Sequence, residues 1–185
     1  MNFATRAHRL LQVLSHVQAV GRQQVARLGA ATPVSAEGDA HLRALRATPR
    51  ARRAFAAAHP ADQASATRIA ASLRRFGAKP DDQLAALLHD LPKGQVGLFP
   101  RVLHVLEGSP VTGQARGPFA HARQTLRLHA SVAPTLAAKL GASRGTITIL
   151  RELARLESRT SSRQKPTGID ARVRLLLDLD SGVTR

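Results

Sequence analysis

Apolar residues recur at helical spacing along almost the whole chain, and runs of β-branched residues are scarce. This pattern predicts an all-α protein. In the first half of the chain it predicts a helix at about Asn2–Leu28, a loop at Gly29–Gly38 and an arginine-rich helix at about Leu42–Ala58. Two further helices are expected to begin at the capping residues Asp62 and Asp81.

The second half of the chain is also predicted to be helical. The expected helices lie at about Leu98–Leu106, Phe119–Leu128, Val132–Leu140, Arg144–Glu157 and Asp170–Asp180, with a polar linker at Arg159–Gly168. No internal repeat or heptad array is found. A chain of 185 residues is long enough to form one ordinary domain with a real hydrophobic core.

Composition excludes several kinds of site. Cysteine is absent, so the chain forms no disulfide, thiolate metal site or cysteine nucleophile, which fits a cytoplasmic location. No apolar run is long enough to span a bilayer, and the N-terminal segment lacks the apolar centre of a signal peptide. We therefore expect a cytoplasmic protein without a membrane partner.

The chain carries a net charge of +16, from 28 basic and 12 acidic residues. Such a charge attracts RNA, DNA or anionic small molecules over a long range. An arginine stripe without acidic partners is expected at Arg43, Arg46, Arg50, Arg52 and Arg53. The stripe could contact a nucleic-acid backbone without sequence preference, or it could be a solvated surface, because no nucleic-acid-binding motif accompanies it.

One adjacent pair of residues suggests chemistry. His89 and Asp90 follow the apolar run Leu84–Leu88, and Lys93 comes three residues later. A histidine and an aspartate at the end of a buried helix can offer a nitrogen and an oxygen to one cation such as zinc, manganese or iron. A metal of this kind makes water acidic enough to attack a phosphate ester.

The stretch Leu87–Lys93 resembles the signature of the HD superfamily of metal-dependent phosphohydrolases, and the resemblance covers about Pro60–Asp180. It implies an HD-domain-like helical bundle around a divalent metal ion (Mn, Fe, Zn or Mg). The metal ligands that it implies are His89, Asp90 and Asp180, with Asp178 as a competing choice for the last position.

The resemblance also assigns two residues to the reaction and shows where this chain departs from the family. The segment that starts at His129 is similar to a family helix, and Lys93 and His129 would stabilise the charge of the phosphate. Lys93 could instead act as a general acid, or it could be a solvated charge after a helix C-terminus. Ser65 stands where the family has its first metal-binding histidine, and Pro92 replaces a glycine. His104, His121 and His129 are either further ligands, phosphate contacts or histidines with ordinary hydrogen bonds.

These observations predict an N-terminal helical extension at residues 1–45 and an HD-like domain at residues 46–185. The expected function is a metal-dependent phosphohydrolase acting on a phosphorylated small molecule or nucleotide, with a site that the loss of one histidine weakens. The alternative is a catalytically inactive HD-fold module whose arginine-rich surface binds nucleic acid or an acidic protein. A helical interaction protein with neither activity is a third hypothesis.

Overall fold

Helices make up all the regular secondary structure in the part of the chain that this computed structural model describes, residues 33–97, 99–101, 119–160 and 171–180. The predicted all-α fold is confirmed. Seven α-helices and one 3₁₀ turn have both bounds within these ranges. They are α1 (Pro33–Ala44), α2 (Pro49–Ala56), α3 (Pro60–Arg75), α4 (Pro80–Leu88), the 3₁₀ turn (Leu91–Lys93), α5 (Ala120–Lys139), α6 (Arg144–Thr160) and α7 (Ala171–Asp180).

Proline sets the start of several helices, because its missing N–H and fixed φ suit the first helical position. The helices α2, α3 and α4 begin at Pro49, Pro60 and Pro80. The residues that cap α3 and α4 are therefore His59 and Lys79. The predictions that Asp62 and Asp81 cap these helices are wrong, since both residues lie inside the first turn.

The predicted loop at Gly29–Gly38 and the predicted single helix at Leu42–Ala58 need correction. Helix α1 begins at Pro33, because proline starts a helix as readily as it interrupts one. The chain then leaves the helical conformation at Arg46, which has a left-handed φ of 55°. Pro49 disfavours a helical residue before it, so α1 and α2 are separate helices.

Helix α5 is continuous, although two helices, Phe119–Leu128 and Val132–Leu140, were predicted there. Pro134 lies inside α5 and is buried. An internal proline removes one backbone hydrogen bond, and packing of α5 against α6 and the 3₁₀ turn offsets that cost. The predicted helix at Arg144–Glu157 is confirmed as α6.

The core lies around α4, which packs against α3 on one side and α6 on the other. Helix α7 packs mainly on α3, and α5 packs on α6. The side chains that are fully buried include Leu42, Phe55, Ile69, Leu73, Leu87, Leu88, Leu150 and Leu176. Because the apolar run of α4 is buried, the residues that follow it, His89 and Asp90, are carried into the interior of the bundle.

Helix α1 packs directly on this core. Leu42 is completely buried, and His41 Nε2 forms a 2.9 Å hydrogen bond with the side-chain oxygen of Gln83. Residues 1–32, including the predicted helix at Asn2–Leu28, lie outside the described residues. The predicted division into an extension at residues 1–45 and a domain at residues 46–185 stays a prediction.

Other predicted segments fall partly outside the described ranges. Residues 99–101 of the helix predicted at Leu98–Leu106 are helical. The remainder of that helix, including His104, lies outside. The first two residues of the predicted linker at Arg159–Gly168 belong to α6, and residues 161–170 lie outside. Within the described ranges, no helix combines the length and the apolar character needed to cross a bilayer.

Candidate metal centre

His89 follows the last residue of α4 and is buried. Its Nδ1 atom lies 2.8 Å from the carbonyl oxygen of Ala86, which can only accept a hydrogen bond, so Nδ1 carries a proton. The other ring nitrogen, Nε2, is buried and has no hydrogen-bond partner among the described residues. This fixes the ring so that Nε2 is the atom that faces the neighbouring carboxylates.

Asp90 immediately precedes the 3₁₀ turn, Lys93 is the last residue of that turn, and Pro92 lies between them. The Oδ1 atom of Asp90 lies 3.5 Å from Nε2 of His89 and 2.6 Å from Nζ of Lys93. The backbone N–H of Lys93 also donates to the carbonyl oxygen of Asp90. The tight turn thus brings Lys93 back over the buried carboxylate.

His129 reaches the same carboxylate from α5. Its Nε2 atom lies 3.6 Å from Oδ1 of Asp90, and its Nδ1 atom donates a 2.7 Å hydrogen bond to the carbonyl oxygen of Leu126. The two histidines, 40 positions apart, therefore have the same hydrogen-bonding arrangement. Each ring is fixed through Nδ1 by a carbonyl three residues earlier, and each presents Nε2 to Asp90.

Two further carboxylates complete the arrangement. Asp180 at the end of α7 places Oδ1 3.7 Å from Nε2 of His89, and Glu157 on α6 places Oε2 3.9 Å from Nε2 of His129. Asp180 and Asp178 are the two alternatives for the last metal ligand. The side chain that contacts His89 is that of Asp180. We call the six residues the histidine–carboxylate cluster: His89, Asp90, Lys93, His129, Glu157 and Asp180.

The two histidines differ in charge. Burial lowers the pKa of His89, but the carboxylates of Asp90 and Asp180 outweigh it and raise that pKa to about 9. Burial and the Lys93 ammonium group lower the pKa of His129 to about 4. At neutral pH the metal-free protein therefore holds a protonated His89 and a neutral His129.

The charged groups around them are shifted as well. Burial opposes the charge of Asp90, yet His89 and Lys93 hold its pKa below the ordinary range. Burial likewise opposes the charge of Lys93, and Asp90 raises its pKa in spite of that. Burial raises the pKa of Glu157. The Asp180 pKa is lowered because the facing His89 imidazole outweighs the burial of the carboxyl group.

The donor atoms fit a divalent cation in chemistry and nearly in spacing. Two ligands that each lie about 2.1 Å from one ion are about 3 to 3.5 Å apart, and the separations here run from 3.5 to 3.9 Å. No set of three or more His, Asp or Glu side chains in the described ranges already has the geometry of a metal site. The buried Nε2 atom of His89 has no hydrogen-bond partner among the described residues, and only the neutral form of the ring could offer this nitrogen to a cation.

A small cavity opens beside the two histidines. It has a volume of about 10 Å³, enough for one atom-sized species such as a water molecule or an ion. His89, His129 and Glu157 form its polar wall, and Ala130, Ala133, Leu150 and Leu153 form its apolar wall.

Helix α3 carries Ser65, the residue that the resemblance to the HD superfamily aligns with a metal-binding histidine. Ser65 is half-buried on this helix. One turn earlier, Asp62 forms a buried ion pair with Arg101, with nitrogen–oxygen distances of 2.6 and 2.7 Å. Arg101 also donates to the carbonyl oxygen of Val96, so this pair fastens the segment after Lys93 to α3.

Sequence reasoning missed Glu157 and the Asp62–Arg101 pair. A signal for Glu157 was present, since it lies four residues after Leu153 on the apolar side of α6, where a carboxylate is unusual. No local signal pairs Asp62 with Arg101, because they are 39 positions apart. His121, which was considered as a further ligand, is exposed on α5.

The arginine stripe requires a correction, because two of its members have an acidic partner. Asp39 forms ion pairs with Arg43 at 2.7 Å and with Arg52 at 2.6 Å. The prediction that the stripe lacks acidic partners is therefore wrong. The other three members, Arg46, Arg50 and Arg53, are exposed.

No protein-family model, curated protein or solved structure matches this chain. Its relationship to the HD superfamily therefore rests on the residues from Pro60 to Asp180 alone and stays a prediction.

Proposed function

We propose that this protein is a metal-dependent phosphohydrolase of the HD type. The observation that carries the proposal is the meeting of two imidazole nitrogens and two aspartate oxygens, from the end of α4, from α5 and from α7, at separations of 3.5 to 3.7 Å. Buried polar atoms normally have partners, and a group of this composition is costly to bury without a function.

The metal ligands in this proposal are His89, Asp90 and Asp180. A divalent metal bound there would act as a Lewis acid on a phosphate ester and lower the pKa of water. Its binding requires a neutral imidazole, so His89 must release the proton that it carries in the metal-free protein. The carbonyl of Ala86 then keeps Nε2 turned toward Asp90.

Lys93 provides a lasting positive charge next to these ligands. Asp90 raises the pKa of Lys93 in spite of its burial, so the ammonium group stays protonated at neutral pH and does not act as a base. It can stabilise negative charge on a transferring phosphoryl group, which is a common source of catalysis in phosphoryl transfer.

The substrate enters from the side of Asp180. The side chain of Asp180 is 40% exposed, whereas those of His89 and Asp90 are each 8% exposed. A phosphate group can therefore reach the cluster from outside while the two buried ligands stay in place. The charge of +16 draws anionic substrates toward the protein, which fits a phosphorylated small molecule or nucleotide.

The proposal is tested by metal content and hydrolysis together. Protein loaded with manganese, iron or zinc and then dialysed should retain about one ion per chain and hydrolyse p-nitrophenyl phosphate. His89→Ala should lose both properties. His121→Ala, an exposed histidine on α5, is the matched control and should keep both. A wild-type protein that retains no metal, or a His89→Ala protein with unchanged turnover, would refute the assignment.

A second candidate function is a non-catalytic module that binds an anionic partner. It is favoured by the exposure of Arg46, Arg50 and Arg53, near the end of α1 and on α2. Binding of this kind to nucleic acid should weaken steeply with salt and show little sequence preference. Fluorescence anisotropy with a labelled single-stranded RNA over a range of salt concentrations tests it, and binding that is absent or insensitive to salt would exclude it.

A further inference from the structure

We propose that His129 and Glu157 belong to the cation site, so that α5 and α6 supply the ligands that α3 does not. The inference rests on the proposed function, because it adds ligands to the same metal. It makes the site one of two imidazoles with carboxylates, and it moves the centre of the site toward the small cavity between His89 and His129.

The first support is the orientation of the two rings. Nε2 of His89 and Nε2 of His129 lie 3.5 and 3.6 Å from the same atom, Oδ1 of Asp90. The proton on each Nδ1 is fixed by a backbone carbonyl oxygen. A ligating histidine commonly has its second nitrogen held in this way, because the hydrogen bond sets the tautomer and the ring orientation.

The second support is the cavity. His89, His129 and Glu157 line a space of about 10 Å³, and the unpartnered Nε2 of His89 is more than nine-tenths buried. The Oε2 atom of Glu157 is 3.9 Å from Nε2 of His129, so these two donors face each other at the wall of the cavity that His89 also lines. The remaining wall of the cavity is apolar, which limits the access of water.

The third support is the rigidity of the elements. Helices α5 and α6 pack against each other, and Leu153 and Leu150, one and two turns before Glu157, are buried in the core. Donors on packed helices are held more accurately than donors on loops, which favours a preset metal site.

The donor set identifies the class of cation. Imidazole nitrogens suit first-row transition metals, whereas magnesium prefers oxygen ligands and retains water. The inferred site should therefore prefer Mn²⁺, Fe²⁺ or Zn²⁺ over Mg²⁺, even when Mg²⁺ is present in excess.

Electron paramagnetic resonance of the full-length protein with Mn²⁺ tests the inference. The free ion has a six-line spectrum from which affinity is measured, and the nitrogen modulation in pulsed spectra counts the bound imidazoles. The wild type should show two bound nitrogens and keep Mn²⁺ in excess Mg²⁺. His129→Ala should show one nitrogen. Both His129→Ala and Glu157→Gln should bind Mn²⁺ at least about 10-fold more weakly, the lower limit for losing a group that only supports a ligand.

The controls separate this inference from the proposed function. His121→Ala changes an exposed histidine on α5, and Glu152→Gln changes a glutamate on α6 whose side chain is 44% exposed. Both variants should bind Mn²⁺ as the wild type does. Mn²⁺ bound through a single imidazole, with His129→Ala and Glu157→Gln unchanged, would overturn the inference and leave the proposed function standing. A wild type that binds no Mn²⁺ would overturn the inference, and one that retains no iron or zinc either would overturn both. If His129→Ala fails to fold, the number of nitrogens bound to Mn²⁺ in the wild type tests the inference: two support it and one contradicts it.

Discussion

The Nζ atom of Lys93 lies 2.6 Å from Oδ1 of Asp90, the same oxygen that faces both histidines. Asp90 is buried, and the side chain of Lys93 is 20% exposed. The ammonium group and the protonated His89 ring therefore neutralise a buried carboxylate together, and Lys93 is the nearer of the two cations. Removing one partner of a buried pair leaves an uncompensated charge, which costs more than the pair itself contributes.

Lys93→Met should destabilise the metal-free protein by about 3 kcal/mol, because Asp90 then loses its nearest cation. Urea unfolding in the presence of a chelator measures this difference. Lys139→Met is the control, since Lys139 is exposed near the end of α5 and should change stability by less than about 0.5 kcal/mol. Equal stabilities of the two variants would show that the Lys93–Asp90 contact is not important in solution.

Asp62→Asn should cost about 3 kcal/mol, because it leaves the buried guanidinium group of Arg101 without its carboxylate. Thermal or urea unfolding gives the value. The matched control is Glu152→Gln, which breaks an exposed 3.6 Å ion pair with Arg155 and should cost less than about 0.5 kcal/mol. A small effect in both variants would contradict the burial of the Asp62–Arg101 pair.

The stability of the metal-free protein should fall as the pH rises from about 6.5 to 9. The pKa of His89 is about 9 in the folded protein, above its ordinary value of 6.5. The protonated ring therefore stabilises the folded state fully below pH 6.5, and this contribution disappears as the pH rises through 9. The loss is on the order of 3 kcal/mol. The pKa of His129, at about 4, affects stability below this window.

Urea unfolding at several pH values, with a chelator present, measures this dependence. His89→Gln should lose most of the slope between pH 6.5 and 9, and His121→Gln should retain it. A wild-type protein whose stability is constant across this window would contradict a protonated His89.

Ser65→His should strengthen Mn²⁺ binding by about 10-fold, if the resemblance to the HD superfamily is correct, because it adds an imidazole where that family places one. The control is Ala64→His, which adds the same side chain at the neighbouring half-buried position of α3 and should have no effect. The spectrum of free Mn²⁺ measures both affinities. Equal affinities of the two variants would argue against HD ancestry.

The sequence by itself determined the features that depend on local contacts. The apolar run Leu84–Leu88 predicted a buried helix with His89 at its end, and α4 ends at Leu88 as expected. The spacing from Asp90 to Lys93 is likewise a local property, since a single turn joins them. Periodicity and short spacings report on neighbours within about one turn, and these predictions required nothing more.

Tertiary structure decided which distant side chains meet. Asp180 meets His89 and Glu157 meets His129 only because α7 and α6 pack on the neighbouring helices, and no periodicity encodes these contacts. Packing also keeps α5 continuous through residues 129–131, where the sequence pattern predicts a break between two helices, and through Pro134. Asp39 neutralises two members of the arginine stripe, one of them 13 positions away, because the turn at Arg46 folds α2 back toward α1. Contacts of this kind depend on the global arrangement of helices, whereas sequence patterns describe each helix alone.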